Sequence, residues 1–182
     1  MTIRTWFAAT MAALLTSCGN VDVARYANEK PALDLPTFFN GTIDAWGLFQ
    51  KRSGEVARRF HVVIEASWTD PDTGTLDERF TYSDGEQQRR VWTLRRQADG
   101  TWLGTADDVV GVATGKVSGN ALHWTYVLRL PVDGKEYEMA FDDWMWQLDD
   151  RSMMNRSTMS KFGIEFGEVT LFFRKRVAGE PQ

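Results

Sequence analysis

Ala121-Leu122-His123-Trp124-Thr125-Tyr126-Val127-Leu128-Arg129-Leu130 alternates in period 2. Leu122, Trp124, Tyr126, Leu128 and Leu130 share one face. His123, Thr125 and Arg129 share the other, where Val127 is the only apolar inner member. Successive side chains of a strand point to opposite sides, so this is a strand with one face on a core and one toward water. Gly119-Asn120 before it and Asp133-Gly134 after it are hairpin turns.

The same pattern continues in both directions. Upstream, Phe60, Val62, Ile64, Ala66 and Trp68 lie on one face, and Asp70-Pro71-Asp72-Thr73-Gly74 ends that strand. Leu76, Phe80 and Tyr82 continue up to Asp84-Gly85. Val91 to Arg95 stops at Asp99-Gly100, and Trp102 to Ala106 and Val109 to Val117 follow. Downstream, Tyr137, Met139 and Phe141 alternate at odd positions, then Trp144, Trp146 and Leu148 fall at even ones. A β-bulge at Asp142-Asp143 would produce that slip of phase. Met153 to Phe162 and Glu168 to Arg176 supply the last strands. Helix has no good candidate beyond a turn near Ala24 to Lys30.

Nine or ten strands joined by short hairpins predict an all-β, up-and-down antiparallel barrel of roughly eight to ten strands. Closure removes the sheet edges that invite aggregation, and a barrel of this size can hold a small ligand. A two-sheet sandwich is the alternative arrangement of the same strands.

Composition limits the function. One domain accounts for the 182 residues; 43% are hydrophobic, with eight Trp and eleven Phe, enough to build a core. A net charge of −4 with no basic block argues against nucleic acid. The start of the chain is distinctive. Arg4, an apolar run from Trp6 to Leu15 and two small residues lead to the only cysteine, Cys18. This reads as a secretory signal over residues 1–17, too short for a bilayer span of roughly 20 residues. A lone cysteine has no internal disulfide partner. Residues 18–36 then form a tether, 37–177 the barrel and 178–182 a tail.

Candidate chemistry is sparse. Asp142-Asp143 and Asp149-Asp150-Arg151 flank Trp144 and Trp146, but neighbouring strand carboxylates face opposite ways and nothing resembles a calcium loop. His61 and His123 fall on polar strand faces, without metal-ligand spacing. Thr158-Met159-Ser160-Lys161 lies in a strand, not at the helix start that an S-x-x-K nucleophile needs. Gly111-Val112-Ala113-Thr114-Gly115 lacks the Lys-Ser/Thr of a phosphate loop. The aromatic residues remain as core or as the lining of a cavity for an apolar molecule. On that reading the ligand-binding candidates are Trp68, Trp92, Trp124, Tyr126, Trp144 and Trp146. No catalytic residue, metal or cofactor is expected.

Leu15-Thr16-Ser17-Cys18 resembles a bacterial lipobox, which implies acylation of Cys18. Each buried lipid CH₂ contributes about 0.8 kcal/mol, so several chains on one cysteine anchor a domain. Gly19, in place of the Asp that favours the inner membrane in such lipoproteins, implies the outer membrane, facing the periplasm. Phe38 to Gly47 is similar to the opening strand of lipocalin-like (calycin) barrels. There a Trp near the start packs at the closed end under an Arg of the last strand, which implies such a part for Trp46 with Arg174 or Arg176. Across nearly the whole chain, Pro31-Ala32-Leu33-Asp34-Leu35, Phe38-Phe39-Asn40-Gly41, Gly74-Thr75-Leu76-Asp77-Glu78, Arg90-Val91-Trp92-Thr93-Leu94, Leu130-Pro131-Val132-Asp133-Gly134, Phe141-Asp142-Asp143-Trp144-Met145 and Met159-Ser160-Lys161-Phe162-Gly163 resemble the DUF3833 family of bacterial lipoproteins. The resemblance implies an envelope location and a lipocalin-like barrel, and supplies no reaction. The sequence therefore predicts a membrane-anchored, non-enzymatic protein that binds a lipid or other small apolar ligand. A structural or assembly role through an envelope protein is the alternative.

Overall fold

A computed structural model describes residues 21–132 and 134–177. Residues 1–20, where the signal and Cys18 are expected, and residues 178–182 lie outside the described residues. The alternation at 121–130 does form a strand, one of ten: β1 (Gly41–Lys51), β2 (Val56–Asp70), β3 (Thr73–Tyr82), β4 (Gln87–Arg96), β5 (Trp102–Thr105), β6 (Ala113–Ser118), β7 (Ala121–Val132), β8 (Lys135–Gln147), β9 (Ser152–Lys161) and β10 (Ile164–Lys175). Each pairs antiparallel with the next, and β10 returns to β1, so the meander closes into a barrel. The sandwich is excluded by that last pairing.

The two ends differ. The turns after β2, β4, β6 and β8 crowd one end, where one turn of helix, α1 (Leu35–Phe38), forms a plug. Asp34 caps it: its carboxylate accepts the Thr37 amide at 3.1 Å and the Thr37 hydroxyl at 2.6 Å. Leu35, Phe38 and Phe39 are all buried. Each such side chain contributes about 1.5–3 kcal/mol. The Trp68 indole N–H donates to the Phe39 carbonyl, and Lys175 Nζ donates to the Thr37 carbonyl at 2.7 Å. The opposite end, at the turns after β1, β3, β7 and β9, is the mouth.

A seam interrupts one side of the wall. β4 pairs with β5 only from Thr93 to Arg96, and β5 stops at Thr105. Above that level the segment 106–112 takes the place of a strand. Val110 N–H donates to the Val127 carbonyl, and Arg129 N–H to the Asp108 carbonyl. The segment is thus tied to β7 by backbone, but to β4 by a side chain: Arg90 grips Asp108 through Nε and Nη2 at 2.7–3.0 Å.

The small residues of β5 and β6 make room for an aromatic ring. A Cβ on Gly104 would stand 2.4 Å from the Trp124 ring, and one on Gly115 2.2 Å from it. Gly104→Ala should therefore lower stability by about 1–3 kcal/mol, as overpacking does. The denaturation midpoint measures this; an unchanged midpoint would mean that Trp124 gives way freely.

The predicted bulge at Asp142-Asp143 is absent. β8 keeps unbroken register with β7 from Ala121↔Trp146 to Val132↔Lys135, and with β9 from Ala140↔Ser160 to Gln147↔Met153. Odd positions therefore face inward along the whole strand, Asp143 and Met145 included. Trp144 and Trp146 face outward because a second apolar layer lies there. The 3-10 turn Val23–Tyr26 packs on this wall, with the Tyr26 ring 5.9 Å from Trp144 and 6.4 Å from Trp146.

Candidate functional site

Above the plug the barrel is hollow. The cavity holds about 1120 Å³ and opens at the mouth. Its apolar walls come from the inward positions of the strands: Phe60 and Ile64 on β2, Phe80 on β3, Leu128 on β7, Met139 on β8 and Leu171 on β10.

The candidate residues divide. Trp92, Trp124 and Tyr126 line the cavity together, with Trp92 in edge contact with Trp124 at 5.9 Å and with Tyr126 at 5.4 Å. Trp68 lies below it, edge-on to Trp102 at 5.6 Å at the base. Trp144 and Trp146 are on the outer wall, so they are not cavity residues; the bulge expected from their phase would have turned them inward. Trp46 also faces outward, 48% exposed, stacked on His61 and Phe172. Arg174 is opposite Asp44 on the same outer face. The closed-end tryptophan of this barrel is Trp68, and Trp46 with Arg174 does not fill that role: β1 enters with Ile43 and Ala45 inward, which turns Trp46 out. Arg176 too is outside, on Asp44 at 2.6 and 2.7 Å.

A polar belt that the sequence reading missed crosses the cavity at mid-depth. Glu78 on β3 pairs in register with Arg90 on β4, with Nη1 3.9 Å from the carboxylate. Tyr126 on β7 donates its hydroxyl to Asp143 Oδ2 at 3.2 Å. Asp143 faces Ser157 across the β8–β9 ladder, and both are buried. Asp143 Oδ1 and Ser157 Oγ have no hydrogen-bond partner. The signal was available in Leu76-Asp77-Glu78-Arg79-Phe80, where Glu78 shares the parity of two core residues. The same holds for Arg90, which shares that of Trp92 and Leu94.

Burial sets the electrostatics. It pushes the Glu78 carboxyl up to about 7, against the pull of the Arg90 charge. It likewise pushes Asp143 up to about 7, although the Ser157 and Tyr126 hydroxyls beside it favour the ionised form. Burial also raises the Tyr126 phenol, and the Asp143 charge adds to the rise. Burial disfavours the Arg90 cation, but Asp108 and Glu78 more than offset that and hold it charged.

Nearer the mouth Arg58, Tyr82, Glu86 and Lys161 also line the cavity, whereas both histidines sit outside. His61 bonds Asp44 at 2.8 Å and His123 bonds Asp142 at 2.9 Å, both on the outer wall. Among the described residues no three His, Cys, Asp or Glu side chains converge as a metal cage requires. No helix among them is long and apolar enough to cross a membrane. The mouth exposes apolar side chains on the β9–β10 hairpin: Phe162 is 93% exposed and Ile164 57%.

Residues 12–175 match the model of a family described as "Protein of unknown function (DUF3833)". No curated protein matches the chain. Among solved structures, a chain described as "De novo design of a fluorescence-activating beta barrel" is 14% identical, with 79% of this chain and 99% of that one covered at a TM-score of 0.42.

Proposed function

We propose that this chain, which belongs to the DUF3833 family, is a non-enzymatic carrier that holds a lipid or other small apolar molecule in its barrel. In this proposal an acylated Cys18 anchors it at the outer membrane, facing the periplasm. The observation that carries the reading is the 1120 Å³ cavity. A barrel of about eight strands is just wide enough for its own side chains to fill, and ten strands enclose more; ligand pockets run to about 300–1,000 Å³. Phe, Leu and Met side chains from most of the strands give that space an apolar wall. Binding, as against catalysis, is favoured by the placement of the two histidines on the outer face: no imidazole reaches Ser157 or Asp143 to activate a nucleophile.

The test is native extraction of the full chain from its membrane, followed by mass spectrometry of the intact species. The expected result is a covalent acyl mass on Cys18 together with a lipid-sized, non-covalent adduct at one per chain. An intact chain that carries no adduct and gains none on incubation with membrane lipids would overturn the carrier reading. A second reading, an assembly role through an envelope protein, rests on the exposed Phe162 and Ile164 at the mouth. An adduct-free chain that instead co-purifies stoichiometrically with one protein would support it.

A further inference from the structure

Building on the carrier reading, we infer that the ligand enters polar end first and that this end donates hydrogen bonds, as a hydroxyl or an ammonium does, and is not an anion. The argument starts from two oxygens. Asp143 is 5% exposed and lines the cavity, and its Oδ1 accepts nothing. Ser157, its ladder partner, is 2% exposed and lines the same wall; its hydroxyl is near enough to favour the ionised Asp143 but is not in hydrogen-bond geometry with it, so Oγ too is without a partner. Buried polar atoms are normally satisfied, and one that faces a cavity is satisfied by what fills the cavity. Above about pH 7, where Asp143 is ionised, that oxygen can only accept, so the filling group must donate.

The belt offers an anion nothing. Arg90 is its only cation, and the guanidinium is already engaged: Nε and Nη2 hold Asp108, and Nη1 faces Glu78 at 3.9 Å. A carboxylate or phosphate placed here would join Glu78, Asp108 and Asp143 as a like charge at close range. The opposite orientation, tail first with an anionic head at the mouth, would find countercharge there: Lys161 Nζ lies only over the Tyr137 and Phe162 rings, and Arg58, held by Asp84 and Glu86 through Nη2, keeps its Nε without a partner. It fails at the belt, where the hydrocarbon would lie over Asp143 Oδ1 and Ser157 Oγ and seal both without a partner. With the polar end inward, the belt is satisfied and the tail lies between Phe60, Phe80, Leu130 and Met139 toward the mouth.

Four probes with one tail and different ends test this on the delipidated full chain at pH 8.5, where Glu78 and Asp143 are ionised: hexadecanol, hexadecylamine, hexadecanoate and hexadecyl phosphate. Affinity is read from interior tryptophan fluorescence, and stoichiometry from native mass spectrometry. The alcohol and the amine should bind at one per chain, about tenfold or more tighter than the acid and the phosphate. Asp143→Asn should weaken the amine by about tenfold. The alcohol should change by about threefold or less, because the carboxamide oxygen of that variant still accepts from a hydroxyl. Glu78→Gln, on another strand, gives the same readout independently of how Asp143→Asn folds. Acid or phosphate binding as tight as the amine, or an amine-to-acid ratio unmoved in both variants, overturns the inference and leaves the carrier reading standing. Failure of all four probes to bind overturns both.

Discussion

Arg90→Met will cost the barrel about 3–5 kcal/mol. The guanidinium holds the wall together where the backbone ladder is missing, since β4 has no strand partner beyond Thr93 on that side. It is also the only cation among Glu78, Asp108 and Asp143. Removing it leaves Glu78 and Asp108, whose side chains are 14% and 25% exposed, without a countercharge. Losing one partner of such a pair is costly because the other charge stays desolvated. A double substitution supplies the control. Arg90→Met combined with Asp108→Asn should be less destabilising than Arg90→Met alone, because the second change removes the abandoned charge. Chemical denaturation of the three variants decides this. A loss below about 1 kcal/mol for Arg90→Met would show that water screens the pair as it does on a surface.

Stability should fall, not rise, as pH climbs from about 4.5 to 7. In the unfolded chain Glu78 and Asp143 ionise at ordinary carboxyl values of 4.5 and 3.8; in the barrel each is pushed up to about 7. Between those limits the native state keeps protons that the unfolded chain has released, and proton binding favours whichever state holds more. The stabilisation is complete below the unfolded values and is lost as pH rises through 7. Each carboxyl carries on the order of 3 kcal/mol of this dependence, and the two share Arg90, so the pair will not sum in full. Other carboxyls act oppositely. Asp44 is held low by its hydrogen bond to Arg176, and Asp77 by Arg89, so their contribution disappears only in strong acid. The stability maximum is therefore expected at about pH 5. Asp143→Asn should flatten the decline and leave the variant about 1–3 kcal/mol more stable than the parent at pH 8. Urea denaturation from pH 4.5 to 8.5 reads both. A profile flat over that range would mean that water reaches both carboxyls.

Architecture is legible in the sequence because period 2 and Asp-Gly or Gly-Asn turns are local signals. Leu122 to Leu130 face inward as their alternation predicts. The same alternation misleads at β8. Large aromatics usually bury, which argues for Trp144 and Trp146 inward, but the surface that covers them belongs to Tyr26, more than a hundred residues away. A long-range outer layer leaves no local trace, so a bulge is the only local explanation of the phase. Trp46 fails for a related reason: a family resemblance places a tryptophan at the closed end, while Trp68 occupies that place through its bond to the Phe39 carbonyl. The belt escapes from the opposite side. Glu78 and Arg90 read as surface charges, since lone ionisable residues are seldom buried. Only the seam, with Asp108 arriving from the segment between β5 and β6, explains why that parity could be kept.

Both ends of the described chain leave at the plugged end. Val23–Tyr26 lies beside the turn at Gly119, and β10 finishes where β1 begins, with Lys175 opposite Ile43. Cys18 stands three positions before Val21, a reach of about 10 Å at full extension. An acylated Cys18 would therefore hold this protein by its foot, as a goblet stands on a table, with the rim turned away from the sheet of lipid it stands on. Cargo would then be exchanged across the aqueous gap with something opposite, and not drawn up from the bilayer underneath.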